Sequence, residues 1–581
     1  MKKLRSRRLI IICSLLIFAG LSAGFLVTQE TRDFKIAKNL DIFFSLFREL
    51  NTFYVDEINP DKIIKTGIDN MLKTLDPYTV YFPESEADEF VLMTTGKYGG
   101  IGSLVRGGGE YVVFSEVYKN FPADRAGIKA GDKLIKLDGI SLKGMPTDKV
   151  SDKLKGNPGT DITVTVERNG EETDYTMKRE KIIIPPVPYF GMIDSKTGYI
   201  RLINFTQDCI EDVKNALVTL KTSNPQQIIL DLRGNPGGLL TEAVEIVNLF
   251  VGPGNDVVST KGKVKQFDED FKTTKAVIDE KIPIAVLINR GSASAAEIVA
   301  GAIQDLDRGV IVGQRSYGKG LVQVTRPLSY NTQLKVTTAK YYIPSGRCIQ
   351  ALDFSHPNED GSVGIIPDSL ISEFKTRNGR IVKNGGGITP DIDIEPESLS
   401  QFTTELYMRY FIFDFATQYY WNHPEIKSPS QFVFTDKDYN DFRSFLISRN
   451  FSYKTFTETS LNELIDNAKR EKYYDLHKDL FSELEKDVAH SLDQDLTVFR
   501  PEITELLEEE IIGRYFYDEG AIAWSVKKDE QINKALEVLN NKEKYSSILS
   551  GKAGSVLITG KGILKDNAKG IPSKSKILEA V

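Results

Sequence analysis

INRGSASAAEIVAGAIQDL, residues 288–306, is the stretch that decides the fold of this chain. An apolar run ends at Asn289, a Gly-Ser turn follows, and from Ser294 onward small and apolar residues recur at helical spacing. A strand that turns sharply into a helix leaves the helix's first side chains and unpaired N–H groups in the open, a setting that suits an oxyanion. Ala293, Ala295 and Ala296 leave room for a substrate backbone, and Glu297 fits the first helical turn by charge. The same residues also suit a small-residue packing interface with Ser294 as N-cap.

A serine nucleophile needs a base, most often histidine. The only histidines, His356, His423, His477 and His490, all follow the stretch, and no Gly-x-Ser-x-Gly elbow occurs. Lysine is the remaining option. Lys319 stands in SYGKGLVQV (316–324) between two glycines that let backbone approach closely, and a desolvated lysine loses proton affinity. Positions i and i+4 of a strand share a side, so Gln323 is expected beside Lys319, where an amide can hold it without charging it. A solvated turn lysine is the bland alternative. In ILDLRGNPGGLL (229–240) a buried strand ends in a turn whose paired glycines can aim N–H groups outward as an anion nest. Gly237 and Gly238 are therefore oxyanion candidates, or else a plain glycine-rich connection.

Outward from these segments the texture divides the chain. Residues 182–396 alternate β-branched runs such as GYIRLINF and QQIILDLRG with amphipathic stretches such as DCIEDVKNALVTL, the pattern of an α/β layered core. Residues 91–181 carry glycine-rich turns and short alternating strands, one ending in an Asn-Gly hairpin signal, and read as a compact β-rich module. Arg168 ends a strand there and could bridge to the core, a solvated surface arginine being the more ordinary reading. Residues 29–90 and 397–550 show helical periodicity, and their amphipathic texture suggests self-association or control of access. Residues 551–581, rich in Gly, Ser and Lys, read as a flexible tail.

At 581 residues the chain has room for several domains, and with 41% hydrophobic and 27% charged residues it can bury their cores. Lys and Arg number 74 against 81 Asp and Glu; the net charge of −7 offers no basic excess for phosphate backbones, so nucleic acid is not an expected partner. Cys13, Cys209 and Cys348 lack Cys-x-x-Cys spacing, which excludes a zinc cage and leaves one Cys209–Cys348 bridge open. KKLRSRR (2–8) precedes an apolar or small run from Leu9 to Val27, close to the ~20 residues that span a bilayer. Residues 1–28 thus read as a signal peptide or a retained anchor. The positive flank should stay cytoplasmic, placing the rest in the cell envelope outside the cytoplasmic membrane.

Taken in order, Ser294 in Gly-Ser-Ala-Ser-Ala, Lys319 in Tyr-Gly-Lys-Gly and Gln323 four positions on resemble the signature of the carboxy-terminal processing proteases, tail-specific serine peptidases with a Ser-Lys pair. The resemblance covers about residues 40–395. It implies an α/β, crotonase/ClpP-like protease core with an inserted β-rich PDZ domain and flanking helical regions. Ser294 rather than Ser292 aligns with the nucleophile, Lys319 with the base, Gln323 with the orienting amide, and Ala295 with an oxyanion N–H. KYGGIGSLV (97–105) is similar to the carboxylate-binding loop of a PDZ domain, and FPADRAGIKAGDKLIKLDGISL (121–142) to its middle. N–H groups of Gly99, Gly100, Ile101 and Gly102 would then grip a substrate's C-terminus while the peptide adds to the sheet edge. Two departures stand out: Ala296 where many relatives carry serine, and Tyr78 where relatives often carry histidine. The expected activity is an endopeptidase acting on proteins with apolar C-termini, with no metal or organic cofactor and possible homo-oligomers. Two rivals remain, a non-catalytic PDZ scaffold and an acyl-CoA enzyme; the export signal and the PDZ-like module disfavour the second.

Overall fold

The structure, a computed structural model, describes residues 32–551 apart from 357, 359–361 and 397. The expected signal or anchor and the expected tail lie outside the described residues. The chain divides between Tyr81 and Phe82 into two compact units. The first carries helices Arg32–Phe53 and Pro60–Lys73, the second begun by Pro60 and capped by Asn59, whose side chain accepts from Lys62 N–H at 3.0 Å.

In the second unit the continuous apolar strands build one central sheet, ordered Tyr189–Met192, Thr197–Arg201, Gln227–Asp231, Ile284–Ile288, Val310–Gly313, Ile392–Asp393. Its first pair is antiparallel and the rest are parallel. Every residue of the three strands from Gln227 to Gly313 is buried, as expected where both faces are covered. Alternation sorts them by parity. Ile228, Leu230, Ile284, Val286 and Ile288 pack under helices Cys209–Lys221, Leu240–Asn248 and Ala295–Asp305. Ile229, Ala285, Leu287, Val310 and Val312 face the other way, onto Val526, Ile532, Ala535, Val538 and Leu539. The second face of the central sheet is therefore covered by helix Glu530–Asn540, from the helical region beyond residue 397.

In a second sheet Leu321–Pro327, Gln333–Tyr342, Asp256–Gly262 and Glu269–Lys272 are neighbours in that order, and Tyr341 and Val258 from it pack with helix Ala295–Asp305. The β-rich module runs in the order Ser103–Gly108, Tyr111–Val117, Lys133–Leu137, Asp161–Arg168, Glu171–Lys178, with helices Pro122–Ala126 and Thr147–Leu154. It is an insertion, because its entry and exit strands, Lys97–Gly100 and Glu180–Ile183, pair with each other. The nine helices from Gln401–Met408 to Lys542–Leu549 include an aromatic core in which Phe415 meets Phe442 at 5.1 Å.

The module docks on these helices through two arginines. Arg106 lies under the rings of Tyr410 (3.8 Å) and Phe413 (4.2 Å) and pairs with Asp414 at 3.0 Å. Arg168 donates twice to buried Asp132, at 2.6 and 2.7 Å, and faces the Trp421 ring at 4.7 Å. It is not a bridge to the core, since the Asp132 carboxylate and a cation–π contact with an aromatic from the helical region hold it. Cys209 and Cys348 are free thiols, which removes the disulfide option; Cys209 is buried in the core as a small apolar group.

Candidate active site

Strand Ile284–Ile288 delivers the chain to a turn pinned from within. Ser292 is fully buried, donates to Leu232 O at 2.8 Å and accepts from Asn289 N–H at 2.9 Å. Its hydroxyl is a structural pin. Ser294 is partly open, and its φ of 54° and ψ of −113° are unusual for a residue with a side chain. Such strain persists only where the surroundings enforce it. It opens helix Ala295–Asp305, whose eleven residues are all buried. Gly301 lets that helix lie against the next layer, where a Cβ would come within 2.7 Å of Ile343 Cδ1.

Glu297 supplies what the sequence did not make visible. It is fully buried, and Oε2 accepts from the backbone N–H of both Ser294 (2.8 Å) and Lys319 (2.9 Å). The two backbones can be no further apart than those two bonds laid end to end. Oε1 accepts from Gly318 N–H at 2.7 Å and from Ser316 Oγ at 2.5 Å. Tyr341, also buried, places its hydroxyl 2.5 Å from Lys319 O and 3.2 Å from Ser294 O, a second clamp across the same gap. Tyr317 N–H donates to Ser292 O and Gly320 N–H to Gln350 Oε1, so the lysine strap is fixed residue by residue. Glu297 was legible only as a first-turn acid, and nothing in TTAKYYI marked Tyr341.

Burial pushes the Glu297 carboxyl up to about 7, against four donors that hold it down. Because its value in the fold exceeds the ordinary 4.5, its burial lowers stability progressively as pH climbs from 4.5 to about 7, and no further above that. Below about 7 the carboxyl carries a proton, the form that burial favours. Replacing Glu297 by glutamine turns an acceptor into a donor facing two donors, at about 1–3 kcal/mol for each orphaned group. The expected result is a thermal midpoint lowered by many degrees and, in whatever folds, slower turnover; an unchanged midpoint on thermal unfolding would contradict the clamp.

The glycine loop meets the serine turn directly. Asn235 O accepts from Ala293 N–H at 2.9 Å and Gly234 N–H donates to Asn289 Oδ1 at 2.8 Å. Gly237, at φ 97°, is required for the approach, because a Cβ there would fall 2.8 Å from Ser294 Cβ and Ala295 N. Its own N–H, expected to face an oxyanion, instead donates to Asn235 Oδ1 at 2.8 Å, so Gly237 shapes the loop rather than offering a donor. Gly238, the exposed member of the pair, and Ala295, first residue of the helix, are the remaining candidates.

Gln323 lies in strand Leu321–Pro327 and donates to Thr337 Oγ1 at 3.2 Å. Lys319 precedes that strand and the pairing shifts register between Val322 and Gln323, so the i, i+4 argument for a shared side does not apply as stated. In the β-rich module, Gly99 and Gly100 are strand residues opposite Lys181 and Glu180, while Ile101 and Gly102 form the turn into Ser103–Gly108. That turn is firmly held: Ala123 N–H donates to Ile101 O and Tyr118 N–H to Gly102 O. Strand Ser103–Gly108 is the edge of its sheet. A cavity of about 640 Å³ elsewhere, lined by Arg106, Glu116, Ile184, Tyr407, Arg514 and Asp518 among others, includes neither Ser294 nor Lys319.

With this geometry in hand, comparisons with known proteins are specific. Residues 196–371 match the family described as "Peptidase family S41", residues 113–168 a "PDZ domain", and residues 402–539 the "Probable PDZ-protease, C-terminal helical domain". A carboxy-terminal-processing protease of Bartonella bacilliformis is 36% identical over 342 residues, 58% of this chain and 76% of that protein. A "Probable CtpA-like serine protease" of Staphylococcus aureus is 34% identical over 350 residues, 60% of this chain and 67% of the relative. Among solved structures, the photosystem II D1 C-terminal processing protease is similar at 28% identity with a TM-score of 0.35, over 61% of this chain and 88% of its own.

Proposed function

Because the chain belongs to the carboxy-terminal-processing serine proteases, a peptidase S41 core with a PDZ domain, we propose that it cuts peptide bonds with Ser294 and Lys319 on a crotonase/ClpP-like core. Neutral Lys319 takes the Ser294 Oγ proton as the oxygen attacks the scissile carbonyl. The oxyanion rests on N–H groups of Ala295 and Gly238 at the helix mouth. The carbon–nitrogen bond then breaks, and Lys319 returns the proton to the leaving amine. Water, deprotonated by Lys319, hydrolyses the acyl-enzyme and frees Ser294. Gln323 orients Lys319. The observation that carries this reading is the single Glu297 oxygen that receives both the Ser294 and the Lys319 amides.

Substrates enter by apolar C-termini, gripped at the turn around Ile101 and Gly102 while the tail adds to the open edge Ser103–Gly108. An acidic chain with an export-like start does this work in the cell envelope, outside the cytoplasmic membrane. The test is to incubate the protein with a denatured polypeptide ending in apolar residues, and with the same polypeptide amidated at its terminus. Cleavage of the first is expected to exceed cleavage of the second by about tenfold, as loss of a charge-assisted carboxylate contact requires. Equal rates would refute tail recognition, and cutting of neither would refute the peptidase.

A further inference from the structure

We infer that Asp529, in the C-terminal helical region, is a positioning residue for the oxyanion loop, a role that rests on the peptidase reading above. Asp529 does two separable things. Its Oδ1 caps helix Glu530–Asn540 by accepting from Ile532 N–H at 2.9 Å. Its Oδ2 accepts from Arg233 Nη1 at 2.6 Å. Arg233 is the first residue of the RGNPGG loop and is well buried, its side chain 13% exposed.

The other edge of the Arg233 guanidinium is held by fully buried Asp231, whose oxygens it meets at 2.5 to 3.1 Å. Asp231 already faces a second guanidinium, Arg201 at 3.4 Å, and accepts from Tyr199 OH at 2.7 Å. Asp231 is thus shared between two guanidiniums; Asp518 also acts on Arg201, and Asp529 is the second carboxylate that Arg233 meets. A buried cation stripped of its partner relaxes toward water. Arg233 cannot move alone, because the next two residues hold the serine turn: Gly234 N–H on Asn289, and Asn235 O under Ala293 N–H. Displacing Arg233 therefore displaces Gly238 relative to Ala295, and donors that miss a developing charge by about 1 Å forfeit much of their effect. The clamp comes from a helix that the sheet itself anchors through Ile532, Ala535, Val538 and Leu539. Folding of the chain's far end and readiness of the site are thereby one event.

Asp529→Ser separates the roles, since serine still caps the helix but lacks the charge and reach for Arg233. In the full chain, kcat for a peptide with an apolar tail is expected to fall about ten- to a hundredfold with KM nearly unchanged. Affinity for a peptide boronate, whose adduct carries the oxyanion, should fall by the same factor. Asp529→Asn has only one acceptor oxygen, so with that oxygen on the helix cap its NH2 faces the Arg233 donor, and the loss should match that of Asp529→Ser. Unchanged kcat in folded Asp529→Ser, or equal changes in kcat and active-enzyme fraction, overturns the inference. If the wild-type chain itself cuts nothing, the peptidase reading falls, and hydrogen exchange still decides the tie: faster exchange at Gly234, Gly237 and Gly238 in Asp529→Ser supports it, and identical exchange refutes it.

Discussion

Ser294→Ala is expected to reduce peptide-bond cleavage by about 10⁴-fold or more while leaving the thermal midpoint within a few degrees of the parent. The hydroxyl is the proposed nucleophile, whereas the turn that carries it is held by other atoms: Ser292 Oγ, Glu297 and the Tyr341 hydroxyl. Lys319→Ala should give a comparable loss, because a serine without its base is a poor nucleophile at neutral pH. The two together should cost little more than either, as befits groups that act as a unit. Rates of the parent should also fall on the acid side, where the proposed base Lys319 would hold a proton and could not take one from Ser294. Initial rates on a tailed polypeptide check all of this. Full cleavage by Ser294→Ala would refute Ser294 as the nucleophile, and no cleavage by the parent would leave only a scaffold that holds client tails.

A chain ending at Ser525 is expected not to fold. It lacks Val526, Ile532, Ala535, Val538 and Leu539, and it exposes Tyr199, Ile229, Ala285, Leu287, Val310 and Val312 on the naked face of the central sheet. Burying a large apolar side chain contributes about 1.5–3 kcal/mol, and whole domains are stable by only about 5–15 kcal/mol. Half a dozen such losses on one sheet exceed that margin. Loss of Asp529 and of the Tyr545 hydroxyl, which accepts from Ile284 N–H at 3.0 Å, adds to the deficit. The measurement is thermal unfolding followed by circular dichroism, with a chain ending at Gly551 as control. A cooperative transition near that of the control would show that the core closes without its terminal helices.

This outcome marks where sequence reasoning stops. The runs QIILD, IAVLI and VIVG announce strands buried on both faces, but no periodicity says which distant segment covers the second one. Residues 397–550 read as a separate helical region for self-association or access, because an amphipathic helix advertises that it has a partner and not who the partner is. The same limit explains Arg168, whose stack on Trp421 joins positions far apart in the chain. It explains Glu297 too: a first-turn acid is an ordinary helix feature until the Lys319 strap is seen to donate to it. Gly237 failed as a donor for a different reason, since the Asn235 side chain two residues earlier takes its N–H, a local competition that glycine counting ignores.

What the sequence determined by itself was local chemistry. It marked Ser294 at a strand-to-helix turn, Lys319 between glycines with no histidine to compete, a glycine-rich anion loop and a β-rich insertion, because backbone geometry and hydrophobic period are written in neighbouring residues. The tertiary structure alone decided which serine is open and which is pinned, which carboxylate joins serine to lysine, and that the C-terminal helices cover the second face of the central sheet. Those choices depend on which side chains meet after collapse, and contact across hundreds of residues is set by packing and by the balancing of buried charge, neither of which leaves a period in the chain.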